Sequence, residues 1–346
     1  LILNYTQPIR AYNALKWRKK TAPLQYENAQ RAYLETMQDI TINVTNLFFT
    51  VLSAQENYRQ SVADYEDRKH LFEIAKKRLD LGTTTKSEVL QMELSLLNAK
   101  MSVNSTSLTL RTQLFSLFSY LRIVDYGDIE LLPPYYMPEI EMNAEQVLDK
   151  AWTGSSHSIE QQLNLLESQR ALAEAKANRG LQVEFGLSQS ANELPAAYRR
   201  LKDYETVGLT MTIPIYDWGM GRGKVRMAKT DVEITKTQIE QANIEFAHDV
   251  RTKVMQFNNQ AEQCKTSLRA QDIAAERYDI MKKRFENGSV TVTELNTAQE
   301  EFESAQHQYI SQLQQFWTDY YGIQKLTLYD FIRKENIGVN FNDLVN

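Results

Sequence analysis

Across residues 25–81 the apolar side chains fall at alternating steps of three and four. Met37, Ile40, Val44, Leu47, Val51, Ala54, Tyr58, Val62 and Tyr65 follow this rule with one slip, between Tyr58 and Val62. Such steps hold one stripe along a helix and suit coiled-coil packing. Gln55, Glu56, Arg59, Gln60 and Asp64 lie between them as a wetted face. A helix of that extent is about 85 Å long at 1.5 Å per residue. Gly82 is expected to end it, because glycine takes the left-handed C-terminal cap at no steric cost. Thr83, Thr84, Thr85 and Ser87 then offer N-caps for a second helix over 86–122. The same plan returns later: a helix over 224–286, Gly288 as its cap, a turn from Ser289 to Thr293, and a helix over 293–322.

Two other segments change period. Residues 181–188 and 206–213 alternate apolar and polar, which predicts strands with one apolar and one polar face. Each is long enough to cross a bilayer when tilted. They form a β-hairpin over 181–215 joined by the polar, turn-rich segment 191–203. Leu181, Val183, Phe185 and Leu187 share one face, with Gln182, Glu184 and Ser188 on the other, an alternation that a small soluble sheet would also show. Between 125 and 180, Pro133, Pro134, Pro138 and Gly154 interrupt the long pattern. A capping box at Asn143–Gln146 opens a short helix there, and a further helix runs over about 158–178, so helices occupy 143–178.

The two halves are copies at a fixed spacing. Adding 206 (288 minus 82) carries Lys76-Lys77-Arg78 onto Lys282-Lys283-Arg284, Gly82 onto Gly288, Thr85 onto Thr291 and Glu88 onto Glu294. The stripe follows: Val44 to Val250, Val51 to Phe257, Tyr58 to Cys264. Leu1, Leu3, Pro8 and Ile9 map to Val207, Leu209, Pro214 and Ile215, so residues 1–9 read as a third strand. The expected organisation is repeat 1 over 1–125, repeat 2 over 126–330, and a tail over 331–346 without a counterpart. Repeat 1 would own a further helix and strand in at least ~65 residues ahead of Leu1, since the counterpart of residue 141 falls at −65. The absence of an initiator Met fits that expectation.

Composition narrows the classes. Only 12 Gly and 7 Pro occur in 346 residues, and each stretch of about 100 residues around a tip holds one glycine, which no compact α/β enzyme could use. A net charge of −5 argues against nucleic acid. Cys264 is the sole cysteine, which rules out an intrachain disulfide, and His70, His157, His248 and His307 show no metal spacing. No nucleophile triad or phosphate-cradling loop is present, so the chain does not read as an enzyme and no cofactor is expected. Three strands cannot close on themselves, and open edges are excluded from lipid. A membrane role therefore requires strands from other subunits. The competing reading is a soluble coiled-coil scaffold, which has no need for alternating strands at the hairpin mouths.

Long hairpins with glycine tips, paired strands and internal duplication together resemble the TolC-like outer-membrane efflux protein family. The most specific segments are Arg78-Leu-Asp-Leu-Gly82-Thr-Thr-Thr-Lys-Ser-Glu88, Arg284-Phe-Glu-Asn-Gly288-Ser-Val-Thr-Val-Thr-Glu294 and Leu209-Thr-Met-Thr-Ile-Pro-Ile-Tyr-Asp-Trp-Gly219. The resemblance implies a mainly α fold: long antiparallel helical hairpins in an α-barrel, with β-hairpins completing a 12-stranded barrel in a homotrimer. It implies a passive exit duct in the outer membrane, reaching through the periplasm to a periplasmic adaptor and an inner-membrane pump or ABC exporter.

The same resemblance assigns the site. Glu294, Thr297, Glu88, Ser87 and Phe285 would form the periplasmic gate. Thr297 stands where the family pattern has a second acid, and Val290 where relatives place a latch arginine, leaving Lys86 to make that latch. Leu81, Gly82, Thr83, Gly288, Ser289, Arg78 and Arg284 would dock the adaptor. The plain alternatives are helix capping for the glycines, first-turn acids favoured by the helix dipole for Glu88 and Glu294, and a solvated face for the basic runs. Tyr204, Tyr216 and Trp218 near the strand ends suit an interfacial aromatic belt.

Overall fold

The computed structural model describes residues 2–10, 12–124, 127, 129–132, 134, 137–192, 202–212, 217–287 and 289–341. In chain order the elements are β1 (Ile2–Arg10), α1 (Ala14–Asp80), α2 (Lys86–Tyr120), α3 (Ala144–Gly154), α4 (His157–Arg179), β2 (Gln182–Asn192), β3 (Lys202–Thr212), α5 (Met220–Glu286), α6 (Val292–Thr327), β4 (Tyr329–Asp330) and β5 (Glu335–Asn336). Both α1 and α5 have 67 residues, and they begin 206 positions apart (220 minus 14). The fold is mainly α, with long antiparallel hairpins and a small β part.

The first helix starts eleven residues earlier than its apolar pattern predicts and runs through Pro23. Asn13 explains the start, because its side-chain Oδ1 accepts the backbone N–H of Lys16 at 3.0 Å and so caps the first turn. Pro23 removes one backbone hydrogen bond, and the helix continues through that defect. In the same way α5 begins four residues before 224. The Asp217 carboxylate accepts the backbone N–H groups of Gly219 (3.0 Å) and Gly221 (2.8 Å), which holds its pKa below the usual carboxylate range. Gly219 has φ +83°, a conformation open to glycine.

The chain forms two compact units. One comprises the residues up to Leu34, Lys150–Asp249 and those from Val339. Its strands make an antiparallel sheet in the order β1-β2-β3. The register sets Tyr5 against Leu187 and Leu187 against Val207, then Phe185 against Leu209 and Val183 against Met211. Paired residues share a face, so these make one apolar surface. Ser188–Thr206, Glu184–Thr210 and Gln182–Thr212 pair on the opposite, polar surface. Tyr5, Leu187, Val207, Leu209 and Met211 are exposed in the single chain. Between α3, α4 and α5, His157 stacks on Phe246 at 4.2 Å and meets Asn243 at 3.2 Å, with Trp152 against the same ring. The hairpin connection and Tyr216 lie outside the described residues, as does the side chain of Tyr204; Trp218 is exposed.

The other unit comprises Glu35–Asp149 and Val250–Gly338. Its core is helix on helix. Phe257, at 0% exposure, packs against Phe316 and Tyr320, and Phe49, Leu52, Cys264, Ile310 and Leu313 form a neighbouring cluster. Burial raises the Cys264 thiol pKa to about 11, which leaves it a packing residue. The tail, which has no counterpart in the repeat, folds back on α6. Leu328 turns the chain with φ +47°, and the Asp330 carboxylate accepts the Tyr320 hydroxyl at 2.7 Å. Among the described residues no helix is long and apolar enough to cross a membrane.

Candidate functional site

The tips of the two hairpins share the backbone bonds that can be described in both. At the first, Gly82 has φ +70° and donates to Leu79 O (2.9 Å), while Thr83 N–H donates to Arg78 O (2.9 Å) and Leu81 N–H to Lys77 O (3.2 Å). This is the six-to-one and five-to-two pairing that closes a helix on a left-handed glycine. At the second, Ser289 N–H donates to Arg284 O (2.9 Å) and Asn287 N–H to Lys283 O (3.3 Å), the equivalents 206 positions on. Gly288 itself lies outside the described residues. Arg78 and Arg284 thus give their carbonyls to the turn. Leu81, Thr83, Arg284 and Ser289 are exposed around it.

Each returning helix opens with a capping box. Glu88 N–H donates to Thr85 Oγ1 (3.2 Å) and the Glu88 carboxylate accepts Thr85 N–H (3.4 Å) and the Thr84 hydroxyl. Glu294 N–H donates to Thr291 Oγ1 (3.3 Å), and its carboxylate accepts Thr291 N–H (2.7 Å) and the Thr291 hydroxyl (2.9 Å). Both carboxyls are held below the usual glutamate range: Glu88 by the Thr84 hydroxyl and then the Thr85 N–H, Glu294 by the Thr291 N–H and then its hydroxyl. In the single chain these acids tie down their own helix starts, and they do so from exposed positions. Ser87 and Thr297 are exposed on the same helices, and the Thr297 hydroxyl donates to Thr293 O at 3.0 Å.

Phe285 differs from the other gate residues: it is 8% exposed and packs in a cluster with Leu71, Phe72, Val89, Met92 and Leu295. That cluster joins both tips in one apolar plug. Val290 packs on it, as an apolar residue should, in the place where a latch arginine would stand.

Just behind the plug lie residues that the sequence reading passed over. Arg68 donates to Asp64 (3.0 Å) on its own helix and to Asn296 (2.8 Å) and Gln299 (2.9 Å) on α6. Gln299 donates back to Asp64 at 2.7 Å. Lys282, read as part of a solvated basic run, bridges to both oxygens of Asp67 at 2.7 Å. Arg277 pairs with Glu301, while Lys76 has the expected local partner, Glu73, at 3.1 Å. The Asp64–Arg68 spacing of four is visible in the sequence; its partners on α6 are not. Above this network a polar cavity of about 460 Å³ runs between α1, α2 and α6, lined by Asp64, Arg68, Ser102, Glu300, Glu303 and His307 among others.

A family model described as outer membrane efflux protein matches residues 1–121 and 157–327. The chain belongs to the outer membrane efflux protein family. Its fold is similar to those of the CmeC outer membrane channel of Campylobacter jejuni (TM-score 0.72, 13% identity, 99% of this chain and 72% of that one) and the MtrE outer membrane channel of Neisseria gonorrhoeae, solved in its open state (0.71, 11%, 94% and 79%). It is similar also to the VceC outer membrane protein of Vibrio cholerae (0.67, 13%, 94% and 78%). No curated protein matches the sequence. Membership makes the protein an outer-membrane efflux channel reaching into the periplasm, and a transport protein rather than an enzyme.

Proposed function

We propose that three copies of the chain assemble into the passive exit duct of a tripartite efflux or type I secretion system. The observation that carries this is the sheet of β1, β2 and β3: one face carries the apolar patch of Tyr5, Val183, Phe185, Leu187, Val207, Leu209 and Met211, most of it exposed in the single chain, and the sheet has two open edges. Neither water nor lipid accepts such a sheet alone, and closure with strands of other copies satisfies both demands. In this reading the apolar face meets outer-membrane lipid, and strands of the other copies complete the barrel. The duplicated hairpins continue the duct as an α-barrel.

The hairpin tips are the periplasmic entrance. A periplasmic adaptor docks on Leu81, Gly82, Thr83, Gly288 and Ser289 with Arg78 and Arg284 beside them, and an inner-membrane pump or ABC exporter supplies the energy. Glu88 and Glu294, with Ser87 and Thr297, ring the opening, and Phe285 backs the ring from the core. Three Glu294 carboxylates around one axis would attract cations and oppose closure. The capping boxes fix each acid at the first turn of a tip helix, which serves helix capping as well as it would serve a ring.

Lysine scanning of β2 tests the assembly. Val183→Lys should abolish the heat-sensitive trimer on gels, while Gln182→Lys, on the polar face, should leave it. Equal trimer yields from the two variants, or a wild-type protein that never trimerises, would overturn the proposal.

A further inference from the structure

The helices α1 and α5 begin against their own dipoles. A helix start carries partial positive charge and favours acids. The other four described helices each place one in the first turn: Glu88, Glu145, Glu160 and Glu294. The first turns of α1 and α5 hold none. Cations stand there instead: Lys16, Arg18 and Lys20 on α1, and Arg222, Lys224 and Arg226 on α5, 206 positions on. Between these positions the copies have diverged, with Trp17 against Gly223 and Lys19 against Val225. Charge is the property that both copies keep.

Topology gathers these cations in one layer. The strand β1 ends at Arg10 just before α1, β3 ends at Thr212 just before α5, and β2 begins at Gln182 just after α4. The register pairs Gln182 with Thr212 and Val183 with Arg10, so all three junctions lie at the same end of the sheet. Lys176 and Arg179, in the last turn of α4, join the layer there; a Cβ on Gly221 of α5 would stand 3.1 Å from the Arg179 Cγ. All eight cations are exposed, and among the described residues none makes an ion pair. By contrast Arg31, Arg170 and Lys236 of the same unit pair with Glu27, Glu167 and Glu233. Asp217, the acid ahead of α5, is engaged by Gly219 and Gly221. Two tryptophans border the layer: Trp17, with the Lys20 Nζ 4.8 Å from its ring centre, and Trp218, 83% exposed.

We infer that this layer is a basic girdle that binds the phosphate groups of anionic phospholipids in the leaflet facing the periplasm. This rests on the membrane reading of the sheet above. The apolar patch ends at Val183 and Met211, next to the junctions where the cations begin. Acyl chains then lie against the strands and headgroups against the helix ends. Lipid phosphates give the unpaired cations their partners, and tryptophan suits such a border. An acidic protein would meet the charges but not the apolar patch beside them.

Native mass spectrometry of the protein released from vesicles of equal phosphatidylglycerol and phosphatidylcholine tests this. The retained lipid should be enriched in phosphatidylglycerol, and excess inorganic phosphate should not displace it. Combining Lys16→Gln, Lys20→Gln, Arg222→Gln and Arg226→Gln should lower the enrichment at least about fivefold, the effect of one basic residue at a charged surface. The same variant should keep its retention of phosphatidylcholine and its unfolding temperature, since the lost charges oppose the helix dipoles. Equal retention of both lipids by the wild type, full enrichment in the variant, or displacement by inorganic phosphate would overturn the girdle and leave the channel standing. A wild type that inserts into no vesicle would overturn the membrane reading, and the girdle with it.

Discussion

The helices α2 and α6 begin identically and end up doing different work. Each starts from a Thr–Glu capping box after a turn closed by the same backbone bonds. Each buries one seam against the long helix before it. On the opposite side α6 is polar and bonded to α1, whereas α2 carries an apolar stripe that is exposed among the described residues. The backbone plan is therefore duplicated while the outer faces have diverged. An interior junction between helices tolerates polar residues when each finds a partner, as Arg68 does with Asp64, Asn296 and Gln299. A stripe of leucine, methionine and phenylalanine asks for apolar cover.

The largest expected effect lies in the core that both repeats share. Phe257→Ala should destabilise the protein by about 3–5 kcal/mol, since the ring is fully buried against Phe316 and Tyr320. Thermal unfolding in detergent would measure it, and a loss under 1 kcal/mol would remove Phe257 from the core. Next comes the polar junction. Arg68→Ala should cost about 1.5–3 kcal/mol, because Asp64 loses its cation and Asn296 loses its donor. On the bare face of α2, Leu97→Ser should change the unfolding of the dissociated chain by less than about 1 kcal/mol, yet reduce trimer yield. Parallel losses in both would erase the distinction between the two faces.

Smaller effects test the likeness of the tips. Thr85→Ala and Thr291→Ala should each cost about 1 kcal/mol, and unequal costs would show that the two caps are not equivalent. The smallest effect is one of pH. Folding lowers the pKa of Glu88 and Glu294 from an ordinary 4.5, so the ionised carboxylates stabilise the folded state. That stabilisation is present above the unfolded value and is lost as pH falls through the lower folded one. Glu88→Gln and Glu294→Gln should therefore lower the unfolding temperature at pH 7 and leave it nearly unchanged at pH 3. An equal decrease at both would show that charge plays no part.

Much of this architecture was legible in the residues, and the reasons are physical. A 3.5-residue apolar period and a single glycine mark a hairpin because little else can accommodate them; the helix bounds at Asp80, Lys86, Glu286 and Val292 fall within one residue of that reading. The threonine caps were legible because Thr-x-x-Glu has one local solution. The start of α1 lies outside its apolar pattern, because the Asn13 cap governs where the helix begins and the interior Pro23 only weakens it. The Arg68 network and the Asp67–Lys282 bridge were not legible, since their partners are over 200 positions away and no local period couples them. Phe285 stood in the gate segment by sequence, but its burial among residues of both tips depends on how the two hairpins pack.

The central claim is that this chain lines a water-filled duct. Purified protein reconstituted in planar bilayers tests it most directly. The account predicts discrete, cation-selective current steps from heat-sensitive trimers, with selectivity and divalent block both weakened by Glu294→Gln. Trimers that insert without passing current, or a Glu294→Gln current identical to the wild type in selectivity and block, would contradict it.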